Sequence, residues 1–88
     1  MSPRETTLEQ DYQEAYQRAR DHIILDRVSR NLILLLNENK LKKLSNKNER
    51  ELKKLAQLGV INLYMDNTVS LSKLGKNLVR VIRYINNL

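Results

Sequence analysis

Residues 52–85 read LKKLAQLGVINLYMDNTVSLSKLGKNLVRVIRYI, and the fold turns on how this stretch is divided. Leu52 and Leu55 stand three apart, and Ala56 and Gly59 continue the same helical face. Gly59 is a natural helix stop, because without a Cβ it enters the left-handed region at little steric cost. Ile61, Leu63 and Met65 then alternate with Asn62 and Tyr64, which is strand spacing. Val69 and Leu71 alternate with Ser70 and Ser72 on the return, and Asp66-Asn67 between the two runs tolerates positive φ and can turn a hairpin. Gly75 falls in the first turn of a closing amphipathic helix, where a missing side chain permits close backbone approach. This division predicts a mainly α fold with a small β-hairpin. A second division stays open. Leu52, Leu55, Ala56, Gly59 and Leu63 also keep helical spacing, as do Val69, Leu74, Leu78, Val81 and Ile85. Run straight through, 49–65 and 68–86 would be a helical hairpin within an all-α bundle. Gly59, the β-branched Val60-Ile61 and the serine alternation favour the β-hairpin.

The residues Leu52-x-x-Leu55-x-x-x-Gly59-Val60-Ile61 and Leu71-Ser72-x-x-Gly75-x-x-Leu78-Val79, in that order, resemble the second half of a winged helix-turn-helix domain. The resemblance covers about 35 residues. It implies a recognition helix ending at Gly59, a wing made by the hairpin, and a C-terminal helix opened by the Leu-Ser-x-x-Gly segment. Members of that family bind DNA or dock proteins, so the resemblance leaves both roles open. The chain departs from the family between Leu36 and Gly59, with about 20 residues where the family has nearer 30. Either the second helix is reduced to Lys40–Leu44, or the helix before Gly59 does not read DNA.

The upstream residues read as one long helix. Ser2-Pro3-Arg4-Glu5 has the chemistry of a helix start, a hydroxyl cap followed by Pro and Glu, and Thr6 with Glu9 is a second candidate. Leu8, Tyr12, Ala15, Tyr16, Ala19 and Ile23 form one apolar stripe. From Ile24 the pattern broadens through Leu25, Val28, Leu32, Ile33, Leu35 and Leu36, so this half is expected mid-core. Unbroken to Asn37, the helix would reach roughly 50 Å, more than a small domain can cover. Its first two turns or more are therefore expected to fold back or to project toward a partner. Leu8, Tyr12, Tyr16 and Ala19 are candidates for a self-association or docking seam, the alternative being packing against the chain's own helices. No heptad repeat is sustained. Asn37–Lys40 is a polar break, Leu41–Leu44 has the spacing of one more helical turn, and Asn46 with Glu49 has that of a capping pair. The expected organisation is a single domain, 1–88, with a long helix over 2–37, continuous or broken, and a winged-helix-like body over 40–88.

Composition narrows the chemistry. Without cysteine there is no disulfide, thiol nucleophile or cysteine metal site, and the lone His22 has no partner at ligand spacing. No Gly-rich phosphate loop, HExxH or nucleophile motif occurs, so the expectation is a non-catalytic protein with no cofactor, metal or small-molecule substrate. No signal peptide is evident, and the longest apolar run, Leu32–Leu36, is far too short for a bilayer. The expected setting is intracellular, cytoplasmic or nucleoid-associated, with no membrane partner.

Charge gives the functional lead. The net charge is +6, yet residues 1–26 carry three basic and six acidic residues, leaving +9 on the rest. An acidic arm on a basic body points to a polyanion or an acidic protein surface as partner. Lys47, Arg50, Lys53 and Lys54 are expected opposite Leu52, Leu55 and Ala56 on one helix. Lys73, Lys76, Arg80 and Arg83 are expected opposite Leu74, Leu78, Val81, Ile82 and Ile85 on the last, with Tyr84 at the border. Rows of this kind track phosphates or form an ordinary solvated face. Arg50 is the first candidate for a base contact, since its fork matches guanine; Asn46 and Asn48 suit phosphate or adenine, and Tyr64 either stacks or only packs. The leading expectation is a small DNA-binding or transcription-regulating protein that meets duplex DNA as a homodimer or within a larger complex. The alternative is a non-catalytic accessory subunit of a replication or transcription assembly, acting by protein contacts.

Overall fold

Asp26 divides the long N-terminal helix in two. The computed structural model describes the backbone of residues 3–88 and the side chains from residue 11 onward. Helix α1 spans Pro3–Leu25 and α2 spans Arg27–Asn37. Asp26 leaves helical geometry (φ −123°, ψ 102°), and its carboxylate accepts the Val28 N–H, capping α2. Arg30 reaches back from α2, its Nη1 donating to the carbonyls of Ile23 at 2.7 Å and Ile24 at 2.8 Å. These are orphan acceptors at the end of α1, which a helix cannot satisfy by itself. The break thus comes near residue 26, far beyond the first two turns, and α1 folds back onto the last helix. Pro3 opens α1, and the helix runs through Thr6 without a second start. The Ser2 cap and the Thr6–Glu9 pair lie outside the described residues and side chains.

Asn39 ends α2 in the left-handed region (φ 60°). The Lys40 N–H donates to Leu35 O and the Asn39 N–H to Leu36 O, the pairing of a Schellman cap. The helical turn expected at Leu41–Leu44 is absent. This segment is extended beside the hairpin: Val69 N–H donates to Lys42 O at 2.9 Å, and Leu44 N–H to Asn67 O at 2.8 Å. Lys43 bridges Thr68. The hairpin's open edge offers backbone partners that a lone helical turn could not match, and Leu41 and Leu44 remain half-buried in this arrangement.

Helix α3, Glu49–Gln57, starts at Asn48, not at the expected Asn46 cap. The Asn48 Oδ1 instead accepts the Ser45 N–H at 2.7 Å, tightening the loop ahead of the helix. At the other end Gly59 has φ +80°, with Val60 N–H bonded to Leu55 O and Gly59 N–H to Ala56 O. Leu55 and Val60, joined by that cap, are both fully buried.

Strands β1 (Ile61–Leu63) and β2 (Val69–Leu71) pair antiparallel, Ile61 facing Leu71 and Leu63 facing Val69. The loop closes with Asn67 N–H on Tyr64 O and Tyr64 N–H on Thr68 O, and only Asn67 of the loop has positive φ, 68°. That is a three-residue hairpin loop ending in a left-handed residue. Asp66 braces it, accepting both the backbone N–H and the hydroxyl of Thr68. The fold is mainly α with this small hairpin, and the all-α division is excluded. Strand burial fades outward: Ile61 is buried, Leu63 is partly exposed and Met65 is fully so.

Helix α4, Lys73–Asn86, is tied to the α3–β1 junction by its first turn. Ser72 Oγ accepts the Gly75 N–H and shares its own proton between Gly59 O at 2.5 Å and Val60 O at 2.8 Å. A Cβ at Gly75 would collide with the Val60 carbonyl oxygen and come within 3.0 Å of Leu71 Cδ2. The Leu-Ser-x-x-Gly segment is therefore a clamp with no room for a side chain.

Helix α2 is central and touches α1, α3, α4 and β2. Its Leu32, Ile33 and Leu36 join Ala19 and Ile23 of α1, Leu52 and Leu55 of α3, and Leu74, Leu78, Val79 and Ile82 of α4. The expectation that the 24–36 stretch lies mid-core is corrected at the elbow, where Ile24, Leu25 and Val28 face outward with Leu25 88% exposed, and at Leu35, which is also exposed. The body is a slab of 45 × 37 × 19 Å.

Candidate functional site

Helix α3 has one buried and one open side. Leu52 and Leu55 anchor it in the core, and Arg50, Lys53, Lys54 and Gln57 are exposed. Lys53 is engaged by Glu49 at 2.9 Å across one turn. Arg50 and Lys54 have no ion-pair partner among the described residues. Lys47, expected on this helix, lies in the loop before it, exposed near the α3 N-terminus. Beyond the C-terminus of α3 stands the hairpin, with Tyr64 and Met65 at its exposed end and Tyr64 Oη within 3.2 Å of Ser70 Oγ. Asn62 Nδ2 donates to the same hydroxyl at 3.4 Å.

The second basic row also lies on an exposed face, with Lys73, Lys76, Arg80, Arg83 and Tyr84 all open. Its surroundings differ from those of α3. Lys76 and Arg80 border a groove of about 390 Å³ between α1 and α4, whose other lining residues are Tyr12, Gln13, Tyr16, Asn77 and Val81. Lys76 also borders a second groove, with Asn37, Asn39, Lys42 and Ser70. Helices α3 and α4 each lie on α2, so seven of the eight candidate cations divide between two helical surfaces, with Lys47 in the loop ahead of α3.

Tyr12 and Tyr16 meet the chain's own last helix. Their rings stack at 6.4 Å between centroids, and Tyr12 Oη accepts a 2.6 Å hydrogen bond from Asn77 Nδ2. Ala19 is fully buried in the chain's own core. The Leu8 side chain lies outside the described residues.

Sequence reading did not anticipate the polar knot at the elbow. His22 Nε2 lies 3.0 Å from Ser29 Oγ, and Ser29 Oγ donates to Asp26 Oδ2 at 2.9 Å. The residue types are those of a catalytic triad but the order is not: the serine proton goes to the aspartate, and Ser29 is fully buried. This is a structural joint. Burial alone would raise the Asp26 carboxyl, but hydrogen bonds from the Ser29 hydroxyl and the Ser29 and Val28 amides, with the nearby His22, hold it below the ordinary range. Asp66 is lowered too, by the hydroxyl and amide of Thr68. Seven-residue spacing of His22 and Ser29 across an unseen break carries no sequence signal.

Among the described residues no helix is long and apolar enough to cross a membrane. No protein-family model, curated protein or solved structure matches the chain.

Proposed function

We propose that this chain is a small, winged-helix-like protein that binds duplex DNA without catalysis, using α3 and the adjacent hairpin. The observation that carries this reading is the outer face of α3. Arg50 and Lys54 stand there unpaired among the described residues, while the opposite face is locked in the core, so the cations are presented on a rigid element. Arg50 suits a bidentate guanine contact, Lys54 and the flanking Lys47 suit phosphates, and the hairpin, which follows α3 directly, would serve as the wing. The extended rung at 42–44 leaves α3 as the one helix between that rung and β1. Contact is therefore expected to rest more on phosphates than on an extended base readout.

The test is binding to labelled duplex DNA across a salt series. The expected slope of log K against log salt is about −3 or steeper, Lys47→Ala with Lys54→Ala should make it shallower by about 2, and Arg50→Ala should relax sequence preference. Absence of binding at low salt overturns the reading. A second reading, an accessory subunit held by protein contacts, is favoured by the outward Ile24, Leu25 and Val28 at the elbow. Under it DNA affinity is negligible, and Leu25→Gln with Val28→Gln releases the partner.

A further inference from the structure

The α1–α4 groove is chemically unlike the open face of α3. Lys76 and Arg80 stand one helical turn apart at its rim, and like charges at that spacing repel. No carboxylate lines the groove among the described residues, and no ion pair there engages either cation. The opposite wall is aromatic, the stacked Tyr12 and Tyr16, and the amides of Gln13 and Asn77 border it. Tyr12 Oη is fixed by Asn77, so the wall and the floor are held in register before any ligand arrives. A volume of about 390 Å³ falls in the range of small-molecule clefts, and is far too small for a duplex.

We propose that this groove binds a free mononucleotide, its phosphate on Lys76 and Arg80 and its ring against the tyrosine wall. A phosphate monoester is a dianion near neutral pH and balances the two cations. The Arg80 guanidinium offers a fork to two phosphate oxygens and Lys76 a point charge. Gln13 and Asn77 supply amide donors and acceptors for the ring edge or sugar. The site stands independently of duplex binding by α3, and its occupant would sit between the acidic N-terminal helix and the basic body.

The test contains no DNA. The isotope-labelled 88-residue chain is titrated with adenosine 5′-monophosphate, and separately with inorganic phosphate and with adenosine, while backbone amide shifts are followed. The expected result is saturable movement of Gln13, Tyr16, Lys76, Asn77 and Arg80 with the monophosphate, and binding weaker by about tenfold or more for either half alone. Arg80→Gln, at an exposed position that leaves the rest of the spectrum in place, should weaken the monophosphate by about tenfold. Four results each overturn the proposal: no saturation in the millimolar range, movement centred on α3, a half that matches the whole, or an Arg80→Gln variant that binds as before.

Discussion

Ser72 and the two glycines on either side of it in space show how much of this fold rests on single positions. Ser72 accepts from Gly75 and donates into the carbonyls that follow α3, so one hydroxyl joins the end of one helix to the start of another. Gly75 and Gly59 both stand out in the sequence as punctuation, yet they are needed for different reasons. At Gly75 the obstacle is space, because a Cβ would strike the Val60 carbonyl. At Gly59 the surroundings are open within 4 Å and the obstacle is backbone conformation alone, φ +80°. Gly75→Ala should therefore cost about 3 kcal/mol through overpacking against backbone that cannot yield. Gly59→Ala should cost about 1 kcal/mol, the strain of a left-handed residue with a side chain. Urea midpoints of the two variants decide the matter, and equal losses would contradict the distinction. The motif was legible as letters. Its steric cause was not, since nothing in the chain says which backbone atom lies over residue 75.

At the scale of elements, the hairpin and the two long-range features around it make the contrast. The hairpin was legible because each of its signals is local: a glycine stop, alternating side chains, and a turn pair tolerant of positive φ. The turn itself differs in detail, with only Asn67 left-handed. Asn67→Gly should relieve that strain by more than the entropy it adds to the unfolded chain, stabilising the protein by about 0.5 kcal/mol in thermal unfolding. A loss of stability would mean that the Asn67 side chain contributes something beyond its backbone shape. The extended rung at Lys42–Leu44 was not legible. Leu41 and Leu44 have helical spacing, and the partners that override it, Asn67 and Val69, lie some two dozen residues downstream. The break at Asp26 was hidden for a related reason. An aspartate within an apolar helix is unremarkable until Arg30, Ser29 and His22 gather around the joint it makes.

The whole molecule depends on that joint, because it directs α1 back across α4 and so shapes the groove between them. Its carboxylate is held below its ordinary 3.8, so the sign of the pH effect is fixed. Stability from ionised Asp26 is fully present above that ordinary value and is lost as pH falls through the lowered one. Asp26→Ala should cost about 1 kcal/mol at neutral pH, the usual loss of a helix cap. The gap between variant and parent should narrow in acid unfolding series below about pH 4, and a gap unchanged by pH would show that the charge plays no part. Apart from Lys47, which lies in the loop before α3, the two basic rows were legible at this scale as helical faces, and all eight residues are exposed. What the sequence could not show is their division. Periodicity reports which side of a helix a residue occupies, and is silent on which helix lies opposite.

The central place of α2 has a consequence for the order in which the chain is made. Leu32, Ile33 and Leu36 are synthesised early, but the surface that covers them includes Leu74, Leu78 and Ile82 of α4. Until translation has passed Ile82, the sides of α1 and α2 that α4 covers stay open, although α3 and β2 already cover other parts of α2. The core therefore closes only once α4 has emerged.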